Sequence, residues 1–305
     1  MQVKDRIGRR IKLQDLNILM AVVQAGSMGK AARDLNTSQP NISKSIADLE
    51  HALGVRLLDR NPQGVEPTQY GRALLDGGAA VFDELRQIVK NIEFLADPTT
   101  GEVRIGCNPS LAPSFVAAVV DRLTRRHPLI VCHVTAGLAH TLHRELTERS
   151  VDFLIARDFA STADERLSFE FLFEDSYVVA AGARSPWVRR RPVKLATLVN
   201  EPWVLPPIGI EVFRRSGLDC PRKAVFTNSS EARMSLLATG RFVAILSTSA
   251  MRGYAEQTDI KVLPVKVPIA PVPTSVVTLK NRTLSAVARL FIEHAREVAR
   301  LRPKT

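Results

Sequence analysis

At Asp97-Pro98-Thr99-Thr100-Gly101 the hydrophobic periodicity of this 305-residue chain changes, and that change constrains its fold more than any other feature. Before the break, apolar residues recur at helical spacing apart from one short hairpin candidate. After it, short apolar runs of strand type alternate with helical stretches. A chain of this kind carries an all-helical unit and an α/β unit joined by a linker with two breakers, Pro98 and Gly101. At roughly 100–200 residues per domain, the length agrees with two or three units.

In the helical part, Leu16, Leu19, Met20 and Val23 form one stripe, which Gly26-Ser27 interrupts. Ser27 is placed to cap a second helix with Ala31, Ala32 and Leu35 on one face, and Asn36-Thr37-Ser38 offers caps for a third. There Pro40 falls in the first turn, where its missing N–H costs little, and Ile42, Ile46, Leu49 and Leu53 recur at helical spacing until Gly54. Asp59-Arg60-Asn61-Pro62-Gln63-Gly64 then suits the tip of a short hairpin. From residue 68 to 95 the spacing predicts one long helix with Val81, Leu85, Ile88, Ile92 and Leu95 in a 4-3-4-3 seam, which fits equally an amphipathic helix lying on its own domain or a coiled coil. Gly77-Gly78 inside it, at about 1 kcal/mol each relative to Ala, predicts a weak or bendable point.

After the break, strands are expected at residues 103–107, 130–134, 151–156, 169–173, 177–181, 203–205, 224–226, 242–246, 262–265 and 275–279. Helices are expected at 111–126, 141–149, 230–239 and 284–301. The alternation predicts mostly parallel sheets, and about 200 residues suit two lobes better than one sheet.

Two helices joined by a short turn, with small Ala31-Ala32 at the crossing, follow the helix-turn-helix plan, whose second helix enters the major groove N-terminal end first. With Ile42, Ile46 and Leu49 inward, Pro40, Asn41, Ser43, Lys44, Ala47 and Asp48 point outward. Asn and Gln can pair bidentately with adenine, Ser and Thr bond phosphate or base, and Lys neutralises phosphate. Gln39, Asn41, Ser43 and Lys44 therefore suffice chemically to read DNA, though the same residues would also make an ordinary solvated face.

The net charge of +11 invites a nucleic-acid reading, but its placement does not support one. Residues 1–95 carry +2, residues 96–176 carry −4 and residues 177–305 carry +13, while residues 13–70 alone carry −1. The local basic excess is the arm, where Lys4, Arg6, Arg9, Arg10 and Lys12 against Asp5 give +4; such arms lie along phosphates or in the minor groove.

The residues Ala31-Ala32-Arg33-Asp34-Leu35, Ser38-Gln39-Pro40-Asn41-Ile42-Ser43, Leu49-Glu50-His51-Ala52-Leu53-Gly54-Val55, Leu58-Asp59-Arg60 and Pro67-Thr68-Gln69-Tyr70-Gly71 carry a strong family likeness. This stretch resembles the winged helix-turn-helix of LysR-type transcriptional regulators. The resemblance continues through Val103-Arg104-Ile105-Gly106, Val151-Asp152-Phe153-Leu154-Ile155-Ala156-Arg157 and Glu201-Pro202-Trp203-Val204-Leu205-Pro206. Within the family it is nearest the branch of the galactose-binding-protein regulator, which also takes in regulators of aromatic-acid genes.

The resemblance implies an organisation: a basic arm at 1–12, a winged helix-turn-helix at 13–69, a linker and dimerisation helix at 70–96 and a hinge at 97–101. An effector domain of periplasmic-binding-protein type follows at 102–305, with one lobe at about 102–175 and 274–305 and the other at about 176–273. It implies double-stranded operator DNA and a small-molecule effector, a sugar or an aromatic or organic acid, as partners. A homodimer through the linker helix, doubled to a tetramer, is also implied, and RNA polymerase is a further candidate partner. By position, Ser38, Gln39, Pro40, Ser43 and Lys44 match the recognition-helix contacts and Arg60 the wing arginine; Lys30, Arg33, Thr37 and Asn41 complete the candidate DNA contacts. Asn61-Pro62-Gln63-Gly64 departs from the more basic wings of the family.

Effectors are expected where strands end and helix N-termini offer N–H groups to anions. The resemblance places Asn108, Ser110, Leu138, His140, Arg157, Pro206, Pro207, Asn228 and Phe242 there, with Arg157 equally able to neutralise a carboxylate or to form a structural ion pair. Phe242 and Arg241 replace the usual small residues in Gly240-Arg241-Phe242-Val243-Ala244 and imply a narrower pocket.

Other readings have less to stand on. Three cysteines without C-x-x-C spacing fit neither a disulfide framework nor a zinc ribbon, and the spacing of His127, His133, His140 and His143 fits no standard metal site. Cys107 suits a buried strand end better than a redox thiol. No P-loop, G-x-S-x-G or H-E-x-x-H occurs; the alternatives are an enzyme using the two-lobed α/β region catalytically or a metal- or redox-sensing regulator, with a stand-alone solute sensor third. No cofactor is expected, and the absence of a long apolar run or an apolar leader predicts a cytoplasmic protein without a membrane span.

Overall fold

A computed structural model describes residues 11–61, 64–157, 164–254 and 259–302. It divides into two compact units, Met1–Arg86 and Gln87–Thr305.

The first unit runs α1 (Leu13–Ala25), α2 (Met28–Asp34), α3 (Gln39–Leu53) and a hairpin of β1 (Leu58–Asn61) and β2 (Gly64–Pro67) into α4 (Gln69–Ala96). Gly26 ends α1 in the left-handed region at φ 65°, as a residue without Cβ can, and the chain turns at once into α2. The Ser27 hydroxyl accepts from Lys30 N–H at 3.4 Å, and Ser38 repeats the cap on Asn41 N–H for α3. The helices meet in one core of Leu19, Val22, Ala31, Ile42, Ile46, Leu49 and Leu57, with α1 burying Ile18 and Val22 where the sequence stripe had Met20 and Val23. The Glu50 carboxylate accepts from the N–H groups of Leu57 (2.7 Å) and Leu58 (3.2 Å), which ties the hairpin to α3. Thr68 caps α4 by accepting from Gly71 N–H, and a Cβ on Gly71 would stand 2.1 Å from the Leu57 carbonyl oxygen, so only glycine fits. α4 continues unbroken through Gly77-Gly78, contrary to the expected weak point. A Cβ on Gly78 would lie 3.8 Å from the Met20 sulfur of α1, so packing against α1 supports the helix where propensity alone is poor.

The second unit contains β3 (Thr100–Cys107), a π-turn at Ala112–Val116 leading into α5 (Ala117–Arg126), β4 (Leu129–Ala136), α6 (Ala139–Thr147), β5 (Phe153–Arg157) and β6 (Leu167–Asp175). The chain then crosses to β7 (Tyr177–Gly182), a 3-10 turn at Pro186–Val188, α7 (Leu195–Leu198), β8 (Trp203–Leu205), α8 (Ile208–Arg215), β9 (Ala224–Phe226), α9 (Ser230–Ala238), β10 (Val243–Ser247), α10 (Thr248–Tyr254) and β11 (Ile260–Leu263). It returns as β12 (Val272–Leu279) and α11 (Ala286–Arg300). Two five-stranded sheets result, ordered β4-β3-β5-β12-β6 and β11-β7-β10-β8-β9, one per lobe. α7, α8 and α10 are too short for a 3.6-residue period to stand out in the sequence.

The expectation of mostly parallel sheets is corrected. In the first lobe β3 pairs in parallel with β4 and β5, but β12 is antiparallel to both β5 and β6. In the second, β8 is parallel to β9 and β10, while β7 is antiparallel to β10 and β11. The chain leaves one lobe through β6 and re-enters through β12; β12 and, in the second lobe, β7 run against the βαβ strands, whereas β6, antiparallel to β12, runs with them. Each sheet is covered on both faces. α5 and α11 pack around Phe115, Phe153 and Phe291, and α6 closes the other side through Leu142 and Leu146. In the second lobe Trp203 and Phe213 form one core and Met234, Leu237 and Met251 the other.

Among the described residues no helix is long and apolar enough to cross a membrane.

Candidate DNA interface and effector cleft

The cap at Ser38 and the burial of Ile42, Ile46 and Leu49 decide what the start of α3 presents. Gln39, Pro40, Asn41 and Lys44 are exposed, as are Lys30 and Arg33 on α2, Thr37 and Ser38 in the turn, and Arg60 on β1. Some polar atoms of this set are already engaged. The Ser38 hydroxyl is the helix cap, Thr37 Oγ1 accepts from Asn41 Nδ2 at 3.3 Å, and the half-buried Ser43 hydroxyl points back to the Met28 sulfur of α2 at 3.3 Å. Gln39, Lys44 and the rest of the Asn41 amide are the groups turned outward. Residues 62 and 63 at the tip of the wing and the arm through residue 10 lie outside the described residues.

On α4, Val81, Leu85, Ile88, Val89, Ile92 and Leu95 are all exposed, Leu95 to 80%. The five seam residues are therefore not folded onto their own domain. A continuous apolar stripe of this length marks a contact surface.

In the second unit the parallel strands of both lobes end on the cleft side. Asn108 and Ser110 follow β3, Leu138 caps α6 after β4 with His140 in its first turn, and Arg157 ends β5. Asn108 Oδ1 accepts from Arg157 N–H at 2.7 Å, which fixes the β3 and β5 ends together. From the other lobe, Pro206 and Pro207 follow β8, Asn228 follows β9, and Tyr177 opens β7 opposite Ser247 at the end of β10. Ser110 is buried, and its hydroxyl has no partner. Leu138, His140, Pro207 and Asn228 are exposed. Phe242 is not brought to this place. It precedes β10, whose Val243 lies beside Trp203 at the start of β8, so it sits at the opposite end of the sheet, packed against the core that holds Met234 and Leu237.

Of the two roles, the structural ion pair is the one Arg157 makes. Its Nη1 donates to Asp175 at 3.1 Å and its guanidinium lies 5.5 Å from the Tyr177 ring, yet its Nε is buried without a partner. Asp175, fully buried at the end of β6, also accepts from Thr248 Oγ1 at 2.6 Å and Ser249 N–H at 2.9 Å at the start of α10. One carboxylate thus joins a strand end of the first lobe to a helix start of the second.

Arg233 on α9 was not anticipated. It is 7% exposed, its Nη1 donates to the Thr227 carbonyl just beyond β9 and its Nη2 to Ser230 Oγ, and its Nε is buried and unpartnered. A sequence signal existed: Ser230, Arg233, Met234 and Leu237 share one face of α9, so the arginine lies within the apolar stripe.

Cys107 ends β3 in full burial, which pushes its thiol pKa up to about 12. The thiolate is the reactive form, so Cys107 should resist iodoacetamide in the native protein at pH 7.5 and react only on unfolding. Mass spectrometry of the alkylated peptide checks this, and rapid native labelling would contradict the burial. His143 pairs with Asp164 at 2.9 Å and His133 stands 3.7 Å from Glu102. Among the described residues no three His, Cys, Asp or Glu side chains are grouped to hold a metal.

Comparison with known proteins agrees with this geometry. Residues 13–72 match the family described as bacterial regulatory helix-turn-helix protein, lysR family, and residues 96–300 match the LysR substrate binding domain. The chain is 28% identical over 298 residues to the HTH-type transcriptional regulator GbpR of Azospirillum brasilense, covering 92% of this chain and 84% of that one. It is 24% identical over 293 residues to the regulator TdcA of Escherichia coli K12, covering 94% and 93%. Full-length OxyR from Pseudomonas aeruginosa shares its fold with a TM-score of 0.63 at 21% identity, covering 95% of each chain. Full-length CbnR complexed with its target DNA does so with a TM-score of 0.55 at 22% identity, covering 95% of this chain and all of that one. The match to the LysR substrate binding domain spans more than half of the chain, and the helix-turn-helix match covers the unit before it: the chain is a LysR-type transcriptional regulator, a DNA-binding protein with an effector-binding domain and not an enzyme.

Proposed function

We propose that this regulator works in the cytoplasm as a homodimer joined along the α4 stripe, and that pairs of dimers associate as tetramers. Each dimer presents two α3 helices to an inverted repeat whose half-sites lie a whole number of helical turns apart. Gln39, Asn41 and Lys44 read or clamp the operator, Ser38, Pro40 and Ser43 shape the helix start, and Lys30, Arg33, Thr37 and Arg60 hold the flanking phosphates. The wing ends at 69, the linker helix fills 70–96, and the arm through residue 12 adds basic contacts. A small effector binds between the lobes beside Asn108, Ser110, Leu138, His140, Arg157, Pro206, Pro207 and Asn228, and shifts the spacing of the paired α3 helices. RNA polymerase would read that change when bound beside the operator.

The observation that carries this reading is the exposed polar start of α3 above a fully buried Ile42-Ile46-Leu49 stripe. A gel shift on the intergenic DNA beside the gene tests it. Gln39→Ala should weaken binding about 5- to 100-fold, the worth of one good bidentate base contact. Cys107→Ala should bind as the parent does, and equal binding by all three proteins would contradict the assignment.

A further inference from the structure

We propose that the effector of this regulator is a small carboxylic acid in its anionic form, and that Arg233 is its cationic ligand in the second lobe. The inference rests on the cleft between the lobes being the effector site, as proposed above.

The two arginines at the cleft ends differ in their hydrogen-bond partners. Arg157 has a carboxylate partner in Asp175. Arg233, the more deeply buried of the two, has only neutral ones, the Thr227 carbonyl and the Ser230 hydroxyl. Its bond to Thr227, the residue that follows β9, brings the guanidinium to the strand ends that face the first lobe. Glu231, whose field also reaches Arg233, accepts from the Ser229 hydroxyl at the N-cap of α9 and from the Tyr254 hydroxyl at the end of α10. Burial, and after it the field of the Arg157 guanidinium, hold the Arg233 pKa below the ordinary guanidinium value, so the two cations feel each other across the lobes. Guanidinium does not give up its proton, and two such groups at the cleft ends, one hydrogen-bonded to a carboxylate and the other to neutral oxygens alone, are costly in low dielectric unless an anion joins them. Three buried donors stand without partners at these ends: Nε of Arg157, Nε of Arg233 and the Ser110 hydroxyl. A carboxylate accepts from several donors at once, whereas a neutral sugar would give the Arg233 guanidinium no anionic acceptor.

Calorimetric titration of the full-length protein with malonate, succinate, benzoate and a neutral hexose tests the proposal. Saturable binding of at least one acid is expected, weakened about tenfold or more in Arg233→Gln and less in Arg233→Lys, as loss of a charge-assisted hydrogen bond predicts. Urea unfolding followed by tryptophan fluorescence, which reports on the second unit, establishes that each variant is folded, and Arg233→Lys carries the test if Arg233→Gln is not. Binding of the hexose but of none of the acids overturns the inference, as does the absence of saturable binding by any acid. A ligand lost on Ser110→Trp but unaffected by Arg233→Gln or Arg233→Lys leaves the cleft as the site and removes Arg233 from it. A ligand unaffected by any of these changes removes the cleft itself.

Discussion

Replacing Ile88 and Ile92 together by glutamate converts the protein to a monomer and lowers its operator affinity by about 100-fold or more. Both side chains lie mid-stripe on α4 and are exposed, by 45% and 60%. In a dimer they would be buried, and a carboxylate there would have to shed its water without a partner. The loss of affinity follows from valency: two linked reading helices gain about 10²–10⁴ over one through effective concentration. Sedimentation equilibrium and a gel shift on one sample separate the two effects. A double variant that stays dimeric with unchanged affinity would show that the stripe has another use.

Asp152→Ala should destabilise the effector-binding unit by about 3–5 kcal/mol, the cost of stranding a buried charge. Asp152 and Arg282 are nearly fully buried, with Arg282 Nη2 at 3.4 Å from Asp152 Oδ1. Asp152 Oδ2 also accepts from the Arg104 N–H at 2.8 Å, so one carboxylate joins the start of β5 to β3 and to the segment after β12. Arg282 Nη1 donates to the carbonyls of Val151 and Asp152. Removing the carboxylate takes the Asp152 anion away from the buried guanidinium. Asp152→Leu with Arg282→Met removes both charges and should cost less than Asp152→Ala alone. Urea unfolding followed by Trp187 and Trp203 fluorescence, which belong to the second unit, reports the change; a loss below about 1 kcal/mol in Asp152→Ala would contradict the account.

Much of this was legible in the sequence because it depends on local order. Ser27 and Ser38 cap helices three residues ahead, and Ile42, Ile46 and Leu49 are buried at the spacing that predicted them. The βα alternation likewise fixed most strands to within two or three residues. What depends on tertiary placement was not legible. Antiparallel entry of β7 and β12 reflects where the chain crosses between lobes, and no periodicity records that. Ser43 reads as an outward hydroxyl from its angle on α3, but Met28 stands within reach of it. Phe242 falls at the wrong end of its strand because the resemblance gave a position in a segment and not a strand direction. Arg233 was overlooked because a single arginine reads as solvated by default, although its neighbours Met234 and Leu237 share its face.

The central claim is that paired α3 helices read an inverted repeat under the control of the α4 dimer. DNase I footprinting of the neighbouring intergenic DNA tests it most directly. The account predicts two protected half-sites in inverted orientation, centred about 10 bp or a multiple of that apart. Both should vanish together in the Ile88→Glu, Ile92→Glu protein. Protection of a single half-site at full affinity by that variant would contradict it, as would a footprint unchanged by Gln39→Ala.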